Sequence, residues 1–130
     1  MTPQDAAELI QQFLRLMEDR DLDAANALMA DDAEIIFPGG KRFTSQAEMV
    51  AASKGRYQWV KKHFDRVEAF ASADDTLTVY VMGTLYGVNK HGVEFDSIRF
   101  IDRFTLRDGL ITSQQVWNDL AESNVLTQTH

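Results

Sequence analysis

Residues 93–106, VEFDSIRFIDRFTL, read as one long β-strand with two unlike faces. Side chains alternate along a strand, so even and odd positions look opposite ways. The even positions are Glu94, Asp96, Ile98, Phe100, Asp102, Phe104 and Leu106. Near the centre the odd ones are Ser97, Arg99, Ile101, Arg103 and Thr105. The even row is the more apolar and is expected to face inward. Asp102 stands in the middle of it. A carboxylate there is costly unless it is paired, hydrogen-bonded or protonated.

The pattern continues on both sides. Asp108-Gly109 is a strong two-residue hairpin signal, and Leu110 to Leu120 makes the following strand. Upstream, Asn89-Lys90-His91-Gly92 is a turn, and Thr76 to Val88 is a strand rich in β-branched and aromatic residues. Ala73-Asp74-Asp75 is a further turn, and Phe64 to Ala71 a further strand. The second half of the chain is thus an antiparallel meander.

The first half has a helical period. Ala6, Leu9, Ile10, Phe13, Leu14 and Met17 recur at three- and four-residue steps, which predicts a helix over 2–18. Thr2 caps it, Pro3 opens it and Asp5 lies in its first turn. A short helix follows Asp21, with Leu22, Ala25, Leu28 and Met29 inward. Ala33 to Phe37 is a short strand, stopped by Pro38-Gly39-Gly40. Ser45 and Glu48 then stand in capping-box spacing. The helix they start carries Met49, Val50, Ser53, Tyr57 and Val60 inward, weakened by Gly55. Helices followed by a meander argue an α+β fold, with helices on one face of a curved antiparallel sheet.

The chain has 130 residues, 45% of them hydrophobic, which suits a single domain over 1–130 with a core at about 5–120. The polar tail 121–130 is expected to fray. With no cysteine there is no disulfide, thiolate metal site or cysteine nucleophile. No His, Asp and Glu spacing resembles a metal site, and no cofactor motif is present, so neither metal nor cofactor is expected. The net charge of −7 argues against nucleic acid as a partner. No apolar run approaches the roughly 18 residues that span a bilayer, so no membrane association is expected. The amphipathic start is unlike a signal peptide, and the expected location is cytoplasmic.

Asp102 is the principal candidate for acid/base work, because burial raises a carboxyl pKa toward the range of a general acid. His63 can serve as a base near neutral pH, and Asp119 closes the last strand. Gln114 and Asn118 are the polar groups expected to converge with Asp102. Phe13, Met17, Phe37, Trp59 and Val116 are expected as ligand-binding walls, together with Met82, Thr84 and Tyr86 from one face of the 76–88 strand. The other face, Leu77, Val79, Val81 and Leu85, is a long aliphatic row. If exposed it calls for a second copy of the chain, so a homodimer is expected.

The stretches DRDLDAANALMADDAEIIFPGG (19–40), SQAEMVAA (45–52), FIDRFTLRDGLI (100–111) and VWNDLAE (116–122) resemble the SnoaL-like branch of the nuclear transport factor two-like superfamily. That branch is polyketide cyclase-like. The resemblance implies a cone-shaped curved sheet, an α+β barrel, around N-terminal helices, with a pocket inside and a usually dimeric assembly. Against the ketosteroid isomerases of the superfamily, Asp102 falls at the protonated, oxyanion-stabilising aspartate. Phe13 falls at the oxyanion tyrosine and Phe37 at the aspartate base, so that reaction is not implied. Against the epoxide hydrolases, the last-strand aspartate lands on Val116; reaching Asp119 requires a three-residue shift. The cyclases offer Asp119 as an acid/base equivalent.

Two readings stand side by side. In one, the pocket binds a small apolar, oxygen-bearing molecule and works as a cofactor-free isomerase, cyclase, dehydratase or hydrolase. In the other, the same fold is a non-catalytic ligand-binding or dimerisation module.

Overall fold

The computed structural model describes every residue from Met1 to His130. Helix α1, Pro3–Glu18, opens with a reciprocal cap. The Asp5 amide donates to Thr2 Oγ1 at 3.1 Å, and the Thr2 amide donates to Asp5 Oδ2 at 2.9 Å. Two amides that a bare helix start leaves open are thereby satisfied. Its stripe of Ala6, Ile10, Phe13, Leu14 and Met17 is buried. Helix α2 is Leu22–Asn26. Strand β1, Met29–Phe37, runs into a 3-10 turn at Pro38–Gly40 and the short strand β2, Lys41–Phe43. Helix α3 is Gln46–Ser53, capped by Ser45. Strands β3 (Tyr57–Ala71), β4 (Leu77–Asn89), β5 (Glu94–Arg107) and β6 (Leu110–Asn118) follow.

The six strands form one curved, unclosed sheet in the order β2-β1-β6-β5-β4-β3. The fold is α+β, with α1 packed on β3 and β4. Neighbours are antiparallel except β1 and β6, which run parallel. Beneath α1, Phe13 meets Phe104 edge-on at 5.8 Å. Both are completely buried, as are Val79, Val81 and Ile111. Each such side chain contributes on the order of 1.5–3 kcal/mol of apolar burial.

The curvature has a local cause. β3 carries an extra residue opposite β4 at Gln58 and again at Asp65. Gly87 and Gly83 stand across from these bulges. A Cβ on Gly83 would lie 1.9 Å from the His63 carbonyl oxygen, and one on Gly87 2.2 Å from that of Trp59. Bulges bend a strand, and only glycine lets the neighbouring backbone come this close.

Several expectations need correction. Leu28 and Met29 do not extend α2; β1 begins at Met29 rather than Ala33. Helix α3 stops at Ser53, so Tyr57 and Val60 belong to β3 and not to a helix. The Ser53 hydroxyl donates back to the Val50 carbonyl, Gly55 follows, and the aromatic and β-branched run after it favours strand. Glu94 and Asp96 are exposed rather than inward. β5 has one more residue than β4 between Phe95 and Ile98, and Ser97 takes φ +58° there. This bulge reverses the alternation, so Phe95 and Ile98 are both buried. The tail is not frayed: Asn89 Nδ2 donates to the Val125 and Gln128 carbonyls at 2.8 Å each, and Val125 is buried.

Candidate functional site

The bent sheet, the last turn of α1 and the Phe37-Pro38 corner enclose a cavity of about 90 Å³. That is room for several water molecules. Leu14, Met17, Phe37, Val60, Phe100 and Val116 form much of its apolar wall. A bulge in β6 opposite β5, at Thr112, turns Gln114, Val116 and Asn118 onto the inner face. Their neighbours in the wall are Asp102 and Lys62.

Asp102 lies opposite Val81 on one side and Val116 on the other. It is fully buried, and neither carboxyl oxygen has a hydrogen-bond partner. Its closest charge is Lys62 Nζ, 3.8 Å from Oδ2. Burial pushes the Asp102 carboxyl up to about 6, against the smaller downward pull of the Lys62 ammonium. The group can therefore hold or release a proton near neutral pH, a property suited to acid/base chemistry.

Lys62 itself is held by its backbone. Its amide donates to Glu18 Oε2 at 2.8 Å, and its carbonyl accepts from Arg15 at 3.1 Å. Its ammonium also lies 5.4 Å from the centre of the Phe100 ring. Sequence reasoning missed Lys62 because the third helix was carried through to Val60, which left Lys62 off its inward side. Had β3 begun at Tyr57, alternation from Val60 would have placed Lys62 inward. Gln46 was missed as well. It is fully buried, and its Nε2 donates to Gln114 Oε1 at 2.9 Å, which fixes the Gln114 amide against α3.

Met17, Phe37, Gln114, Val116 and Asn118 join Asp102 in the cavity wall. Phe13 does not; it lies in the core under α1. Met82, Thr84 and Tyr86 are on the outer face of the sheet. Register decides this, since Val81 pairs with inward Asp102 and Met82 with outward Ile101. The aliphatic row of Val79, Val81 and Leu85 is consequently core rather than a free face. Trp59 is 42% exposed and packs edge-on to Tyr86. His63 also points outward and stacks on Tyr86 at 4.3 Å. Asp119 binds Arg99 Nε at 2.6 Å, likewise away from the cavity. No three His, Asp or Glu side chains come together in a metal-binding arrangement. No helix is long and apolar enough to cross a membrane.

Helices closed over a curved six-stranded sheet, with one carboxyl buried at an internal cavity, define a pocket-bearing cone fold. The SnoaL-like domain family matches residues 10–114, and the chain belongs to it. A structure of an NTF2-like protein of unknown function from Burkholderia pseudomallei superimposes with a TM-score of 0.79 at 16% identity, covering 95% of this chain and 98% of that one. TerC, co-crystallised with polyporic acid, gives 0.74 at 20% identity, with 93% and 97% covered. A protein from Jannaschia sp. assigned as a SnoaL-like polyketide cyclase gives 0.74 at 15%, with 98% and 95% covered. No curated protein matches the sequence.

Proposed function

We propose that the cavity binds a small apolar molecule bearing a carbonyl or related oxygen, and that Asp102 performs cofactor-free acid/base chemistry on it. The observation that carries this reading is the Asp102 carboxyl, buried on the cavity wall with both oxygens unpartnered and Lys62 at 3.8 Å. A purely structural buried aspartate would be tied to backbone amides or to an arginine. Ionised, Asp102 can take a proton from a carbon next to a carbonyl while the Lys62 ammonium stabilises the enolate oxygen. Returned to a different atom, the proton gives an isomerisation. Addition of the enolate carbon to a second carbonyl of the same molecule opens that C=O π bond, and the proton passes from Asp102 to the new alkoxide, giving an aldol-type cyclisation. Relatives of the cyclase type support the reading at the level of fold.

The test is proton exchange of 2-tetralone in D₂O, followed by NMR. The protein is expected to speed exchange at the α-carbon above the buffer rate, and Asp102→Asn to return it to that rate. Equal exchange with Asp102→Asn would sink the assignment. Binding without exchange in the parent protein would favour the non-catalytic alternative, in which the same cavity only holds a ligand.

The proposal includes a homodimer through the outer face of the sheet. Met82, Ile101 and Trp117 are directly cross-paired there, and Ile101 and Trp117 are 41% and 50% exposed. Ile101→Glu is expected to shift the sedimenting mass toward the monomer. A parent protein that sediments as a monomer at micromolar concentration would count against it.

A further inference from the structure

We infer that the ligand of this cavity is an anion, an apolar carboxylate whose charge is held by Arg20, Arg56 and Lys62. The inference rests on the pocket reading above and adds the charge of the ligand to it.

The chain carries 20 acidic and 13 basic side chains, so a cluster in which cations outnumber carboxyls runs against its composition. Arg15, Arg42, Arg66 and Arg99, all outside the cavity wall, each pair with a carboxylate at 2.6 to 3.5 Å. In the cavity wall cations do outnumber carboxyls. It contains three cations, Arg20, Arg56 and Lys62, and two carboxyls, Glu18 and Asp102. Glu18 is already committed, since Arg15 donates to both its oxygens at 2.8 and 3.1 Å and the Lys62 amide to one. Asp102 faces Lys62 alone. Arg20 reaches only the Met17 carbonyl, and the Arg56 guanidinium has no protein partner. Neither arginine forms an ion pair.

The excess positive charge thus sits at the cavity, against a molecule of net charge −7. Arg20 and Arg56 are solvent-exposed and so lie at the rim of the cavity, where cations attract anions from solution. Planar guanidinium groups match a carboxylate in particular, with two parallel N–H donors. The largely apolar wall fits a hydrophobic body better than a phosphorylated one. A carboxylate at the two arginines would leave the rest of the molecule beside Lys62 and Asp102, where the proposed chemistry lies.

The experiment compares 2-naphthoate with the neutral isostere 2-naphthamide by isothermal titration at pH 7.5. It uses the parent protein, Arg20→Gln, Arg56→Gln and, as a charge control away from the cavity wall, Lys54→Gln. Circular dichroism checks the fold of each. Naphthoate is expected to bind on the order of tenfold more tightly than the amide, as a few partly screened ion pairs allow. The preference should fall with added salt, shrink in each arginine variant and persist in Lys54→Gln. Equal binding of the two probes would overturn the inference and leave the pocket reading intact. So would a preference unchanged in both arginine variants. Failure of both probes to bind would overturn the pocket reading, and this inference with it.

Discussion

Lys62 Nζ lies 3.8 Å from Asp102 Oδ2, although the two residues are on β3 and β5, with β4 between them. The pair meets across a strand because the bulged part of β3 folds inward over β4. Directly cross-strand partners do not explain it: Lys62 pairs with Leu85, and Asp102 with Val81. The carboxyl is therefore placed by β5 and given its only charged neighbour by the bend.

Asp102 makes the stability of the protein fall as pH rises from about 4 to 8. Its folded pKa, about 6, is above the ordinary 3.8. The folded state then binds the proton more tightly than the unfolded chain. The stabilisation is fully present below the unfolded value and is lost as pH passes through 6. Two pKa units correspond to about 3 kcal/mol. Asp102→Asn removes that dependence. Its stability relative to the parent should rise by about 2 kcal/mol between pH 4.5 and 8 in urea unfolding, the remainder of the effect lying below pH 4.5. A constant difference over that range would show that Asp102 ionises normally.

Gly83→Ala is expected to lower stability by about 2–3 kcal/mol or to prevent folding. Its methyl would meet the His63 carbonyl oxygen at 1.9 Å, and strand backbone cannot move aside cheaply. Gly55→Ala is the control. Nothing lies within 4 Å of its added carbon. Its φ is not positive, so a neutral effect or a gain of about 0.5–1 kcal/mol is expected. Thermal unfolding of both variants checks the contrast.

Asn89→Ala is expected to release the C-terminal segment. The Asn89 amide donates to two tail carbonyls, and its oxygen accepts from the His91 and Val93 amides. Losing four bonds at a fully buried position should cost about 2–4 kcal/mol. Limited proteolysis should then cut within 121–130 faster than in the parent protein. An unchanged cleavage rate would mean that Val125 packing alone holds the segment.

The meander and the first helix were legible because their patterns are long and single-period. Asp102 was legible for the same reason, as a charge out of place in an apolar row. The remaining site residues depended on register, which alternation alone does not fix. The bulges at Asp65, Ser97 and Thr112 each exchange inward and outward positions. A period-two reading through them therefore put Asp96 inside. For β4, both rows are apolar, and only its pairing with β5 places Val81 inward and Met82 outward. Trp59 was misplaced and Lys62 overlooked, because a helix was carried through Gly55. His63 and Asp119 attracted notice by residue type, yet they have partners on the outer face. Lys62 and Gln46 carry no such signal, since lysine and glutamine are ordinarily solvent-facing.

The parallel pairing of β1 with β6 has a consequence for how the chain is made. β1 is synthesised early, but its neighbour on the sheet side is the last of the sheet's six strands to be made. Until then β1 and β2 form a two-stranded ribbon, marginal by itself, while the β3–β5 meander can already assemble. Closing the sheet joins residues about 80 positions apart, as in Ile35 with Gln114, and such long-range pairing slows folding. Phe37 and Gln114 come from the two sides of this late seam. The cavity is thus completed last, after most of the sheet that surrounds it already exists.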